Sequence, residues 1–153
     1  MSGADRQHVR DIEYYLRHIS WIVKKRGREM LQDFDITPPQ FYALLILAIH
    51  GNLTMGELCR HLYLASSTVT DLIDRMEKSG LVARERDSED RRVIRIRVLD
   101  KGHELMDVVM EARLEYLSSV LQGMDREQRD NLAEALKSLY QVMTQETADT
   151  TTG

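Results

Sequence analysis

Cysteine is almost missing from this 153-residue chain: Cys59 stands alone. No internal disulfide can form, and a redox response through Cys59 would need a second chain or a small thiol. The simpler reading of Cys59 is a small apolar residue on a helix. Proline is confined to Pro38 and Pro39, so long stretches run without a helix breaker, and a mostly helical protein is expected. No run of about 18 apolar residues occurs, which argues against a membrane span. The polar opening MSGADRQHVR lacks the apolar core of a secretory signal, so a cytoplasmic protein is expected. Glycine-rich phosphate loops, nucleophile motifs and paired carboxylates in an apolar setting are also missing, so neither an enzyme nor a cofactor is expected. His18, His50, His61 and His103 are scattered without a ligand pair four residues apart, and no metal site is expected.

What is present suits one globular domain: 42% of residues are hydrophobic and 30% are charged. The formal net charge of −4 does not look like a nucleic-acid binder. Its distribution does. Arg84, Arg86, Arg91, Arg92, Arg95 and Arg97 crowd one short segment, and a DNA footprint is a local patch rather than an overall balance.

Apolar spacing predicts a long first helix over 5–32, with Ile12, Tyr15, Leu16, Ile19, Ile22 and Val23 on one face. A helix of that length needs a partner to cover its stripe. Thr37, Pro38 and Gln40 then form a capping box with proline at the first helical position, flanked by Ile36 and Phe41 as a hydrophobic staple. Gly51 ends this second helix. Thr54 and Glu57 repeat the capping box, with Leu53 and Leu58 as the staple, for a short third helix. After a break at YLASS a fourth helix is expected over 66–79, closed by Gly80. LVARER and VIRIRVL read as two strands of a hairpin around the turn DSEDRR, since Ile94, Ile96 and Val98 alternate with Arg95 and Arg97. Asp100 is placed as the cap of a fifth helix over 101–121. Asp125, with Gln128, caps a sixth. The stripes of these last helices include Leu105, Val109, Leu132 and Leu136. The tail 147–153 is small and polar, and disorder is expected there.

Two short helices followed by a hairpin make a winged helix-turn-helix, whose second helix enters the major groove. With residues about 100° apart around the axis, Val69, Leu72, Ile73 and Met76 cluster on one side of the fourth helix. Ser67, Thr68, Asp71, Asp74, Arg75 and Lys78 fall on the other, with Thr70 at the boundary. Small hydroxyls at the N-terminal end let the backbone approach the groove, which nominates Ser66, Ser67, Thr68 and Thr70. Arg75 can reach guanine or a phosphate, and Asp71 can accept from cytosine.

The run STVTDLIDRMEKSGLVARERDSEDRRVIRIRVLDKG resembles the core pattern of the MarR family of bacterial transcription regulators, through its TDLIDRMEKSGLVAR block, its DRR turn and the glycine of the following helix. The resemblance implies a mainly helical fold with a small β-hairpin wing, divided into a DNA-binding lobe at 37–99 and dimerisation helices at 5–36 and 100–146. It implies a homodimer on a palindromic operator in double-stranded DNA, most often a repressor, released by a small-molecule effector. It further implies that Arg92 enters the minor groove, held by Asp90, with Arg91 and Arg86 beside it on the wing. Tyr14, Tyr15, His18 and Trp21 are the candidates for an aromatic effector site near the first helix, and packing at the dimer interface is the simpler reading of the same aromatics. Two other readings are a winged-helix protein-interaction module without DNA binding, and a metal- or redox-sensing member of the same family.

Overall fold

The computed structural model describes residues 3–150, with side chains as far as Gln145. In chain order the elements are α1 (Gly3–Gln32), α2 (Pro38–His50), β1 (Leu53–Thr54), α3 (Met55–Leu62), α4 (Ser66–Lys78), β2 (Val82–Arg86), β3 (Ile94–Val98), α5 (Asp100–Leu121) and α6 (Arg126–Thr150). Residues up to Arg113 make one compact unit and those from Leu114 onward a second.

The helix starts follow from local chemistry. Thr37 Oγ1 accepts from the Gln40 amide at 3.4 Å, and Gln40 Oε1 accepts from the Thr37 amide at 3.0 Å. The same reciprocal pair joins Thr54 to Glu57, at 2.8 and 3.2 Å, and Asp125 to Gln128, at 3.0 and 2.8 Å. Each box satisfies amide donors that the first turn leaves without a carbonyl. Gly51 at φ 81° and Gly80 at φ 77° end α2 and follow α4 in the positive-φ conformation that glycine adopts without strain.

The core of the first unit lies among α2, α3, α4, the sheet and the start of α5. Both staple pairs, Ile36 with Phe41 and Leu53 with Leu58, are buried in it. So is the inward face of α4, where Val69, Ile73 and Met76 are fully enclosed. Each such side chain contributes about 1.5–3 kcal/mol relative to an exposed position.

Four details differ from the sequence reading. The wing is a three-stranded antiparallel sheet in the order β1-β3-β2, not a bare hairpin. Leu53 and Thr54 pair with Ile96 and Arg95, while Val82 to Arg86 pair with Val98 to Ile94. A two-residue strand has no period to detect, and Thr54 carries a stronger signal as a cap. Helix α5 begins at Asp100 itself, one residue before the expected start, with its first turn closed on the Leu99 carbonyl by the His103 amide at 3.1 Å. Helix α6 runs on to Thr150, into the segment expected to be a disordered tail; residues 151–153 lie outside the described part. Alternation along β3 is also incomplete. Ile96 and Val98 are buried, whereas Ile94 is exposed because the hairpin has left the core by that point.

In the second unit, α6 presents Leu132, Leu136 and Met143 to solvent. Within the first, α1 does the same with Ile12, Leu16, Ile19 and Trp21, and buries only Met30 and Leu31 near its end. Among the described residues no helix is long and apolar enough to cross a membrane.

Candidate nucleic-acid interface

Helix α4 carries its polar face outward. Ser66, Ser67, Thr68, Thr70, Asp71 and Arg75 are all exposed, opposite the buried Val69, Leu72, Ile73 and Met76. The helix starts after Ala65, whose side chain cannot cap, so its leading amides have no side-chain acceptor at the cap position. Those amides and the neighbouring hydroxyls form one donor-rich end, suited to phosphate oxygens. Farther along, Arg75 Nε lies 3.2 Å from Asp71 Oδ2. Both side chains are largely in water, so the pair is weak and easily exchanged for a base or phosphate contact.

The hairpin arginines divide by role in a way that composition did not show. Three of them hold the wing together. Arg84 reaches back to α4, meeting Asp74 at 2.6 Å and Glu77 at 2.9 Å, while Glu77 also accepts the Arg84 amide at 2.9 Å. Partial burial works against the Arg84 charge, but these carboxylates outweigh it and raise its pKa. The wing and α4 are thus tied as one body. Arg97 pairs across the sheet with Glu85 at 2.6 Å. Arg95 donates Nε–H to Asp87 and Nη1–H to the Asn52 carbonyl at 3.1 Å, with Glu57 3.6 Å away. Asp87 in turn accepts the Glu89 amide at 2.8 Å and the Asp90 amide at 3.1 Å. The Arg95 guanidinium, followed by those two amides, draws the Asp87 carboxyl down to about 2. Asp87 and Arg95 therefore anchor the turn to the loop before β1.

The other three are Arg86, Arg91 and Arg92, at the turn end of the hairpin. Arg86 donates to the Arg91 carbonyl at 2.9 Å and braces the turn from below. Arg91 is exposed. Arg92 is held at the tip by a fork: its Nε and Nη2 donate to the two carboxylate oxygens of Asp90 at 3.1 and 3.0 Å, and its own amide donates to Asp90 Oδ1 at 3.1 Å. The Arg92 hydrogen bonds hold the Asp90 carboxyl below its ordinary range, and Asp90 raises the guanidinium pKa in return. The Arg92 side chain is nevertheless 90% exposed. It is fixed in direction and bare to solvent, the state required of a cation that enters a narrow groove.

The fold that carries this surface is matched in known proteins. A MarR family profile covers residues 34–93. YsmB of Bacillus subtilis (strain 168), named an uncharacterized HTH-type transcriptional regulator, is 44% identical over 94% of this chain and 98% of its own. The chain belongs to the MarR family. A MarR family protein from Bacillus stearothermophilus superimposes with a TM-score of 0.83 at 46% identity, over 91% of this chain and 97% of its own. The HTH-type transcriptional repressor MdtR of Bacillus subtilis (strain 168) is 28% identical over 92% of this chain and 90% of its own. This MarR protein is accordingly a DNA-binding transcription regulator with a winged helix-turn-helix, and not an enzyme.

The candidate effector residues lie on α1. Tyr14 and Tyr15 meet edge to face at 5.4 Å between ring centroids, and Tyr14 lies 4.0 Å from the His18 ring. Trp21 carries Lys25 over its face at 5.6 Å. All four candidates are exposed on α1. An open cleft of about 510 Å³ lies elsewhere in the same unit, lined by Phe34, Asp35, Gln40, Lys101, Leu105 and Val108 among others. None of the four borders it. The sequence reading missed this cleft because its walls come from separated segments. It also missed that His50 and His61, eleven positions apart, stack with centroids 4.2 Å apart. Cys59 is half-buried against the core.

Proposed function

We propose that this MarR protein acts as a homodimeric repressor, occupying a palindromic operator with two winged lobes formed by residues 37–99, in the cytoplasm where the DNA is. The observation that carries the dimer is the exposed apolar face of α1, where Ile12, Leu16, Ile19 and Ile22 stand in water at helical spacing. Exposed stripes of this length are stable only when a partner covers them. Leu114 and Leu117 of α5, with Leu132 and Leu136 of α6, offer further area of the same kind. Repression draws support from the name of MdtR.

A dimer reads two half-sites about one helical turn, roughly 34 Å, apart, so the lobe spacing must match the groove repeat. Ser66, Ser67, Thr68, Thr70, Asp71 and Arg75 address the major groove. Arg92, oriented by Asp90, enters the minor groove, with Arg91 and Arg86 at the flanking phosphates. A small aromatic effector held near Tyr14, Tyr15, His18 and Trp21, or in the cleft beside Lys101, would change the lobe spacing and forfeit the bivalent part of the affinity.

Sedimentation of the chain alone and with a selected palindromic duplex tests this reading. Two chains per duplex are expected, with affinity falling steeply as salt rises. A monomer that binds one half-site, or a flat salt response, would refute it.

A further inference from the structure

Tyr63 is out of place by every measure of fold stability. It closes α3 in the left-handed conformation, φ 53° and ψ 38°, with its amide donating to the Cys59 carbonyl. Glycine or asparagine suits that position, and a larger side chain there costs about 1 kcal/mol. Asp35 and Tyr63 are the non-glycine residues with positive φ among the described part, and aspartate tolerates that region through its short polar side chain. The tyrosine gains nothing in return, since its ring is 92% exposed, more than any other large hydrophobic or aromatic residue described. A strained backbone therefore holds an aromatic side chain entirely in water, three positions before the first residue of α4.

That placement has one chemical use on this surface. In helix-turn-helix docking, the start of the recognition helix lies against the groove wall, flanked by phosphates. The left-handed cap turns Tyr63 out of the α3 face just ahead of Ser66, Ser67 and Thr68, the donor-rich end of α4. A phenol is a neutral donor that reaches farther than serine or threonine and takes few rotamers. We propose that the Tyr63 hydroxyl donates a hydrogen bond to a phosphate of the duplex, setting how deeply α4 enters the groove. Tyr63 would be a positioning residue beside the arginines of the wing, and it rests on DNA binding by this lobe. Because the phenol is neutral, it releases no counterion, and this separates it from every cationic phosphate contact.

The test uses the full chain and a duplex selected in vitro with the parent protein. Tyr63→Phe removes the oxygen and leaves the ring and backbone alone. Its affinity should fall about tenfold, as for a hydrogen bond to a charged acceptor, with the slope of log affinity against log salt unchanged. Arg91→Ala serves as the contrast, with a slope shallower by about one. Tyr63→Gly relieves the backbone, so it should melt higher than the parent while binding no better than Tyr63→Phe. Parent-like affinity of Tyr63→Phe overturns the contact, and so does a loss accompanied by a shallower slope. Failure of the parent itself to retain any duplex would remove the DNA-binding mode and this contact with it.

Discussion

Substituting Gly102 separates local propensity from packing in this protein. Gly102 sits in the first turn of α5 and is buried. Judged by helix propensity alone, Gly102→Ala should stabilise by up to about 1 kcal/mol. The structure reverses that sign. A Cβ at Gly102 would stand 2.8 Å from Val98 Cγ1 and 3.3 Å from Leu44 Cδ2, and closer still to the Leu81 carbonyl oxygen. That oxygen cannot swing aside, because it accepts the Leu99 amide at 2.9 Å where β3 leads into α5. Overpacking of this kind costs about 1–3 kcal/mol, and a strained backbone hydrogen bond adds about 1 kcal/mol. After the propensity gain, Gly102→Ala should destabilise by about 1–3 kcal/mol. For a chain of this size that lowers the melting temperature by about 3–10 °C. Gly27→Ala is the internal control. Gly27 also lies within a helix, but no atom comes within 4 Å of its added Cβ, so a small gain is expected there. Thermal melts followed by circular dichroism measure both. A Gly102→Ala melting temperature equal to or above the parent value would refute the packing argument.

The wing provides the other predictions. Asp87 has its pKa drawn from 3.8 to about 2, so its contribution to wing order is present above about pH 4 and is lost as pH falls toward 2. Protection factors of the amides of residues 88–93, taken relative to the intrinsic exchange rate at each pH, should fall over that window, and in Asp87→Asn they should already be low at about pH 4 and above; a parent profile without the transition would remove Asp87 as the anchor. Arg92→Ala should weaken binding to selected DNA by about tenfold or more while leaving the melting temperature unchanged, since this side chain is exposed and its partner Asp90 is on the same turn. A lower melting temperature with parent-like affinity would make Arg92 a structural residue instead. Arg84→Ala should do the opposite, lowering stability and loosening the wing, because Arg84 holds Asp74 and Glu77.

Much of the fold could be read directly from the chain. Capping boxes at Thr37, Thr54 and Asp125, and the apolar phase of Val69, Leu72, Ile73 and Met76, depend on neighbours within four residues. Such signals are complete in one dimension. The Asp90–Arg92 fork spans two residues and is likewise a local fact. Strand β1 was invisible because two residues cannot show a period, and it exists only through its pairing with β3.

The partners of Arg84, Arg95 and Arg97 could not be read that way. Between Arg84 and Arg97 the sequence shows six cations, of which the family resemblance singles out Arg86, Arg91 and Arg92. Only the fold shows what Arg84, Arg95 and Arg97 hold, because their partners lie seven to forty-three positions away. The same holds for Gly102, whose need for glycine comes from the Leu81 carbonyl and the Val98 and Leu44 side chains on other elements. The sequence by itself determined the helices, their caps, the family and the wing tip. Tertiary structure decided which charges act as struts between elements, since an ion pair across elements depends on distances that the linear order does not contain.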